Sequence, residues 1–209
     1  MPVVSNRLTV SIAFFTALAV AGAADKEPRF APGAASSYAS KQTINNVTVA
    51  AVPYHTEEQV RSGFGKLDPN KYGILPVLVV IQNDSKQALR LDGLRIEFIT
   101  PGGTHIEATP AKDVPYVSGN IRQPRIENSP LPTGSPRVSR KKNPLAGGQI
   151  DVRAFSARML PAGEQASGFF YFQTLNRLGS KVYLTGLREA ASGTELFYFE
   201  IPLANDGTP

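Results

Sequence analysis

The segment YGILPVLVVIQN, residues 72–83, is an almost continuous apolar run, and the turn residues Asp84 and Ser85 follow it directly. A short run rich in β-branched residues and bounded by turn residues indicates a strand. Apolar side chains point to both sides of such a strand, so we expect it to be central in its sheet, with one face covered and the other partly covered. Pro76 is tolerable because it lies near the beginning of the strand.

The segments that follow have the alternating pattern of half-buried strands. Residues 87–100, QALRLDGLRIEFIT, alternate twice, with a change of phase at Asp92 and Gly93. A one-residue slip exchanges the buried and exposed faces, so this dipeptide is predicted to be a bulge or a turn that restores the register. Further strands are predicted over 44–54, 104–108, 149–157, 166–174, 181–190 and 194–203, and a short hairpin joins the last two.

One short helix is predicted ahead of the central strand. Thr56 and Gln59 have the spacing of a capping box, Glu57 adds a carboxylate to the positive first turn, and Gly63 follows about two turns later. A helix of this length serves as a connector. The fold class predicted from these patterns is all-β: an immunoglobulin-like antiparallel β-sandwich of about seven to nine strands with one short connector helix.

The composition excludes several classes of protein and of chemistry. The 209 residues are 42% hydrophobic and 19% charged, with 18 Gly and 17 Pro, which excludes a coiled coil, a polytopic membrane protein, collagen and full-length disorder. The absence of cysteine excludes disulfides, thiolate metal sites, a cysteine nucleophile and a lipidated N-terminal cysteine. Stability must therefore come from burial of a core.

The N-terminus has the features of an export signal. Residues 1–24 contain one basic residue, Arg7, then the apolar run LTVSIAFFTALAV and a group of small residues. This predicts a secretory signal peptide cleaved after Ala23 or Ala24, with no transmembrane span left in the mature chain. The expected location is the periplasm or the extracellular side of the cell envelope. Residues 25–43 are predicted to be a flexible tether, 44–204 the sandwich domain and 205–209 a disordered tail.

The interval 118–148 interrupts the strand pattern and carries most of the charge asymmetry. It holds 5 Pro, 4 Gly, six basic residues and a single acid, Glu127, for a net charge of +5, whereas the rest of the mature chain has a net charge of −1. We predict a long loop here. The candidate anion-binding or partner-binding residues are Arg122, Arg125, Arg137, Arg140, Lys141 and Lys142.

Such a loop can attract an anionic envelope component, such as lipid headgroups or phosphorylated polysaccharide, or an acidic protein partner. Nucleic acid is not expected as a partner, because no aromatic residue between Tyr116 and Phe155 could stack on bases. A spacer without any partner is the alternative interpretation of the loop.

Catalytic and metal chemistry lack their usual residues. The two histidines, His55 and His105, have glutamates nearby, but neither has the helical i, i+4 spacing or a third ligand of a zinc site. Residues 139–142 match S-x-x-K but lie inside the basic loop, away from any strand-to-helix context. No metal site, cofactor or catalytic residue is assigned.

The aromatic residues allow two interpretations. The run Phe169, Phe170, Tyr171 and Phe172, together with residues 197–199, could line a groove for an apolar ligand. Core packing is favoured, with alternate side chains facing inward and Tyr171 and Tyr198 on the outer face. In the last strand the residues expected on the inner face are Phe197, Phe199, Ile201 and Leu203.

Residues 64–98, 160–175 and 181–187 resemble a group of uncharacterised exported bacterial proteins that have a single immunoglobulin-like β-sandwich domain. The shared features are an apolar strand that leads through an Asn turn into a short alternating strand, and a Pro-Gly turn before an aromatic strand. The resemblance implies the fold and export. It implies no functional residues, and the basic loop is a departure from the pattern.

These observations favour a non-catalytic, exported cell-envelope module that binds or assembles through sheet edges and the basic loop. One alternative is a carrier that holds an apolar ligand between the two sheets. The other alternative is a metal-independent hydrolase with paired carboxylates, whose two acids need not be close in sequence.

Overall fold

The computed structural model describes residues 30–117 and 143–204, and the predicted signal peptide and C-terminal tail lie outside these ranges. The described residues form an all-β sandwich, as predicted. Eight strands have three residues or more, and three have only two. The strands are β1 Lys41–Ile44, β2 Val47–Pro53, β3 Leu75–Asn83, β4 Leu89–Arg90, β5 Arg95–Ile99, β6 His105–Glu107, β7 Met159–Leu160, β8 Gln165–Phe172, β9 Lys181–Thr185, β10 Arg188–Glu189 and β11 Phe199–Pro202.

Short helices connect or flank the strands. The α-helices are α1 Glu57–Phe64, α2 Val114–Val117 and α3 Gln149–Arg153, and 3-10 turns occupy Ala35–Ser37, Pro69–Tyr72 and Pro144–Ala146. Among the residues that the structure describes, no helix is long and apolar enough to cross a membrane.

All strand pairs within the sheets are antiparallel. The first sheet has the order β1-β2-β3-β8, the second β11-β9-β5-β6, and a small third sheet β10-β4-β7. The segment that the sequence marked as central is β3, which pairs with β2 on one side and β8 on the other. At its midpoint Val79 lies between Ala51 and Gly168.

Both faces of the first sheet are covered, which explains the unbroken apolar run of β3. Odd-numbered residues of β3, such as Val77 and Val79, face the second sheet in a first core that includes Phe98, Val182 and Phe199. Even-numbered residues face helices instead. This second core contains Phe64, Leu78, Val80, Val114, Leu145, Ile150, Phe169 and Tyr171. The sequence predicted only partial cover on this side.

The predicted connector helix is confirmed. The Thr56 hydroxyl accepts a hydrogen bond from Gln59 N at 3.3 Å, and the Gln59 side chain accepts one from Thr56 N at 3.1 Å, which completes the capping box. The helix ends at Gly65, which has a positive φ of 63°. Val60 and Phe64 are buried, so α1 is also a wall of the second core.

The predicted change of register at Asp92 and Gly93 is a turn that moves the chain from one sheet to another. Strand β4 belongs to the small sheet and β5 to the second sheet. Leu94 N donates to Leu91 O at 3.1 Å across the turn. Leu91 before the turn and Ile96 after it are both buried, as the two phases of the pattern require.

The predicted flexible tether, residues 25–43, is corrected for residues 30–43, and residues 25–29 lie outside the described residues. Ala35 is fully buried against the first sheet, and Lys41–Ile44 forms strand β1 in a hairpin with β2. The hairpin turn consists of Asn45 and Asn46, both at positive φ. Strand β1 is an edge strand of only four residues, in which exposed and half-buried side chains alternate. This is too short for a periodic pattern to be recognised, so the sequence did not predict it.

The predicted strand at residues 149–157 is also wrong in its first half, which is helix α3. The five residues Gln149–Arg153 are helical, and Val152 on this helix is 81% exposed. The extended part is restricted to Ala154 and Phe155, where Phe155 N donates to Phe169 O at 3.0 Å beside β8.

At the C-terminal strand, the predicted inner face is confirmed for three of its four residues. Phe199, Ile201 and Leu203 are buried, whereas Phe197 is 73% exposed because β11 begins only at Phe199. Tyr171, predicted on an outer face, is instead 1% exposed, because helices cover that side of the sheet.

Tyr54 makes the second core sensitive to alkaline pH. Its ring lies edge-on to Phe169 at 4.8 Å and to Phe30 at 6.2 Å. Burial, with a smaller contribution from Tyr38, raises the pKa of Tyr54 to about 12, and burial also raises the pKa of Tyr171. A folded-state pKa above the unfolded value of about 10 stabilises the protein below pH 10, and that contribution is lost as pH rises towards 12.

We therefore expect the free energy of unfolding to fall between about pH 10 and 12, and to fall less steeply in Tyr54→Phe. Denaturant unfolding at a series of pH values measures this. Tyr198→Phe removes a half-exposed phenol and is the control, which should follow the wild-type curve. An identical pH dependence in Tyr54→Phe and the wild type would contradict the prediction.

Candidate functional site

The predicted anion-binding residues of the basic loop cannot be placed in a site. All six, Arg122, Arg125, Arg137, Arg140, Lys141 and Lys142, lie outside the described residues. The last part of the predicted loop is described and is packed. Leu145 is buried in the second core, and the Asn143 amide donates to Pro115 O at 2.7 Å, so the chain is anchored from residue 143 onward.

The two edges of the sandwich differ in how they are closed. On one side β1 and β11 meet, and side chains complete the contact: Gln42 accepts from Glu200 N at 2.7 Å and Ser40 accepts from Ala204 N at 2.9 Å. On the other side β8 and β6 are the outer strands, and only short segments bridge them. Thr109 is one such bridge, since its N–H donates to Tyr171 O at 2.7 Å.

Two adjoining cavities, of about 570 and 590 Å³, open along this second side. Both are lined by Leu94, Phe155 and Phe170, which form a continuous apolar floor. We call this feature the edge groove. The edge groove combines an apolar floor with charged walls, which is the usual composition of a ligand site.

The floor is built by a close crossing of two chain segments. Phe155 and Phe170 stack with their ring centroids 5.3 Å apart and their planes at 22°. Gly168 allows the segment that carries Phe155 to lie directly on β8, because a Cβ at Gly168 would be 2.4 Å from Phe155 Cα. Both rings are only partly buried against the first core and so remain available to the groove.

The two ends of the edge groove have opposite charge. At one end Arg90 and Arg158 accompany the single acid Asp92, for a net charge of +1. Arg90 bonds Asp92 at 2.7 Å, and this hydrogen bond lowers the pKa of the Asp92 carboxyl. We call this the basic end.

At the other end Glu97 and Glu107 accompany Arg95, for a net charge of −1. The two glutamates are direct cross-strand partners in the β5–β6 ladder, and His105 Nδ1 lies 2.6 Å from Glu97 Oε2. Like charges placed opposite each other on neighbouring strands repel, so this end attracts a cation. We call it the acidic end.

The described residues contain no cluster suited to a metal ion. Within the described ranges, no group of three His, Cys, Asp or Glu side chains is arranged so that it could hold a metal ion. His55 lies at the start of α1 with Nδ1 3.2 Å from Pro53 O, and His105 is engaged with Glu97. The S-x-x-K match at 139–142 lies outside the described residues.

Within the described residues, the space between the two large sheets is occupied by side chains. Phe98 and Phe172, fully buried, contact each other with ring centroids 5.7 Å apart in the first core. The aromatic run of β8 is divided: Phe169 and Tyr171 fill the second core, Phe172 fills the first, and Phe170 lines the edge groove. The surface Tyr198 stacks on Tyr183 at 5.2 Å.

Comparison with known proteins gives little beyond the fold described above. No protein-family model matches the chain, and no curated protein is significantly similar to it. Among solved structures, the chain is similar to one described as a "putative lipoprotein (ycdA)" from Bacillus subtilis, with 13% sequence identity and a TM-score of 0.37. The match covers 78% of this chain and 38% of that one, so the chain spans well under half the length of this neighbour.

Sequence reasoning did not find the edge groove. Its walls come from residues 90–97, 107–111, 154–159 and 169–171, which no local pattern brings together. Glu97 and Glu107 belong to strands that the sequence did predict, so their pairing across β5 and β6 could have been anticipated from the Pro-Gly-Gly turn between them.

Gly168 provides a direct test of how the floor is built. Gly168→Ala should lower the free energy of unfolding by roughly 2–3 kcal/mol, because the new methyl group collides with the Phe155 backbone. Denaturant unfolding measures the loss. Gly102→Ala is the control, since its nearest non-local atom is 3.9 Å away, and it should change stability by less than about 0.5 kcal/mol. Equal stability of the two variants would contradict the close crossing.

Proposed function

We propose that the protein is a non-catalytic, exported cell-envelope module that binds its partner in the edge groove, with the basic residues of 118–142 as a second contact. The observation that supports this most directly is the apolar floor of Leu94, Phe155 and Phe170 between ends of opposite charge. Exposed aromatic surface surrounded by charged groups is typical of recognition sites.

The filled first core favours this function over a carrier with its ligand between the sheets. A carrier needs an internal apolar cavity of several hundred cubic ångströms. In the described part of the chain, Leu75, Val79 and Phe98 are completely buried and pack together between the sheets.

A second candidate function is supported by Glu97 and Glu107. Two carboxylates on neighbouring strands could serve a metal-independent hydrolase, one as acid and the other as base or nucleophile. Hydrolysis of a chromogenic glycoside by the wild type, abolished separately by Glu97→Gln and by Glu107→Gln, would establish this function and displace the first.

The export part of the proposal rests on residues 1–24. Sequencing the N-terminus of protein purified from its native host should give a mature chain that begins at Ala24 or Asp25. An intact Met1 in a membrane fraction would show that the apolar run is a retained anchor.

The binding part is tested by co-sedimentation with envelope material of the native host. Arg158→Glu and Glu107→Lys reverse exposed charges at the two ends of the groove and should each reduce retention by about tenfold. Glu58→Lys and Lys66→Glu reverse exposed charges near α1 and should bind as the wild type does. If both groove variants are retained as strongly as the wild type, the edge groove is not the binding site.

Residues 118–142 are tested separately with vesicles that contain anionic lipid. Deletion of this interval removes its net charge of +5 and should abolish retention, and retention of the intact protein should fall steeply between low and physiological salt. If the intact protein and the deletion variant are retained equally, residues 118–142 are a spacer without a binding role.

A further inference from the structure

We propose that the partner in the edge groove is an extended peptide that places a basic side chain at the acidic end, an apolar side chain on the Phe155 and Phe170 rings, and an acidic side chain at the basic end. This inference rests on the proposed function, whose site it shares. It adds the chemical class of the ligand and the order of its charges.

The shape of the groove favours an elongated ligand. The two cavities, of about 570 and 590 Å³, share the stacked rings of Phe155 and Phe170 and the side chain of Leu94 in their linings. Each is already within the size range of a site for a small organic molecule. A ligand that fills both must therefore run across the rings, as an extended chain of several residues does.

The groove has charges of both signs, which excludes ligands whose charged groups are all positive or all negative. A polyanion attracted to Arg90 and Arg158 would also meet Glu97 and Glu107 and be repelled there. A neutral glycan would leave both ends without a charged partner. A peptide supplies both signs at a spacing of a few residues, together with an apolar side chain for the floor.

Three charged side chains of the groove are available to such a ligand without breaking an existing ion pair: Arg158 at the basic end, and Glu107 and Arg95 at the acidic end. Glu97 and Glu107 together outnumber Arg95, so that end keeps its net charge of −1. Arg90 is engaged by Asp92, and Glu97 is engaged by His105. Arg158 and Glu107 line the groove at opposite ends, are exposed, and make no ion pair with any described residue. They are the residues that set the direction in which the peptide lies.

The test uses four capped, fluorescently labelled peptides that share the core Thr-Val-Phe-Val-Thr. Their terminal residues are lysine then aspartate, aspartate then lysine, two lysines, or two aspartates. Fluorescence anisotropy gives the dissociation constant of each peptide with the full-length mature protein. We expect one of the two mixed peptides to bind about tenfold more tightly than either like-charged peptide.

The decisive variant is the double substitution Arg158→Glu with Glu107→Lys. It exchanges the charges of the two ends and leaves the net charge of the protein unchanged, so general electrostatic attraction cannot account for its effect. The preference should move to the opposite mixed peptide. The matched control is Glu58→Lys with Lys66→Glu, which should keep the wild-type order, and thermal melting should confirm that both variants are folded.

The outcomes separate this inference from the function on which it rests. If the mixed peptides bind no better than the like-charged ones, or if the double variant keeps the wild-type order, a dipolar peptide is not the ligand. The proposed function survives that result if Arg158→Glu and Glu107→Lys still lose retention on envelope material. If those two variants bind envelope material as well as the wild type does, the peptide inference and the proposed function are both overturned.

Discussion

Asn83→Ala is expected to lower the free energy of unfolding by roughly 3–5 kcal/mol, a large part of the stability of a domain of this size. Asn83 ends β3 and is completely buried. Its amide nitrogen donates to the carbonyl oxygens of Gln87, Leu160 and Pro161 at 2.8 to 3.1 Å. Its amide oxygen accepts from Ser85 N at 3.2 Å. Alanine would remove this donor from the Leu160 and Pro161 carbonyls, whereas the Gln87 carbonyl keeps the Ser85 hydroxyl as a donor at 3.1 Å.

Urea unfolding measures the loss, with Gln87→Ala as the control. That substitution removes an exposed side chain from the same turn and leaves its carbonyl in place, so it should change stability by less than about 0.5 kcal/mol.

Asn83→Asp adds a second test. A buried carboxylate facing carbonyl oxygens is disfavoured, so this variant should become more stable as pH falls and the carboxyl is protonated. Asn83→Ala with the stability of the wild type would show that water or a shifted chain satisfies the Leu160 and Pro161 carbonyls.

Gly186→Ala is expected to cost more than about 4 kcal/mol or to prevent folding. Gly186 follows β9 and has a φ of +85°, in the left-handed region. A Cβ there would lie 2.0 Å from Gly93 O and 2.7 Å from the Gly93 carbonyl carbon. Gly93 lies in the link from the small sheet to the second sheet, and Gly186 lies in the link from the second sheet back to the small one. The collision is therefore between two backbones that cannot move independently.

Gly73→Ala measures the cost of a positive φ alone, without a steric collision. Gly73 has a similar φ of +75°, but a Cβ at that position would meet nothing within 4 Å. It should therefore cost only about 1–2 kcal/mol, the penalty for a left-handed conformation in an L-residue. Thermal melting and denaturant unfolding of both variants give the difference. Similar losses at the two positions would show that the chain links around Gly93 can separate without penalty.

The features that the sequence predicted correctly depend on neighbours a few residues apart. The capping box of α1 needs only the spacing of Thr56 and Gln59, and the turn after β4 is visible because two alternating patterns are out of phase at Asp92 and Gly93. Asn83, the last residue of the predicted strand, makes one local contact of the Asx type, because its side-chain oxygen accepts from Ser85 N. Its three carbonyl partners were not predicted, because two of them lie far along the chain: Leu160 ends β7 and Pro161 follows it.

The features that the sequence missed depend on short elements or on distant segments. Strand β1 and helix α3 have four and five residues, fewer than a periodic pattern needs to be recognised. Phe155 lies within the predicted strand 149–157, but the sequence did not indicate its neighbour. Its hydrogen bond to Phe169 O shows that it lies beside β8. The groove residues Arg158 and Glu107 belong to no sequence motif, so the sequence did not mark them as a site.

The all-β class, the central position of β3, the connector helix and the change of register follow from the sequence alone, because hydrophobic period, capping and turn chemistry act within a few residues. The helices that cover the second face of β3 and the open groove between β8 and β6 appear only once the chain is folded. Apolar side chains such as Leu78 and Phe170 show that a face is to be buried, but they do not show which distant segment covers it. That choice depends on how the whole chain fills the space around each sheet, and the edge groove lies where that filling is incomplete.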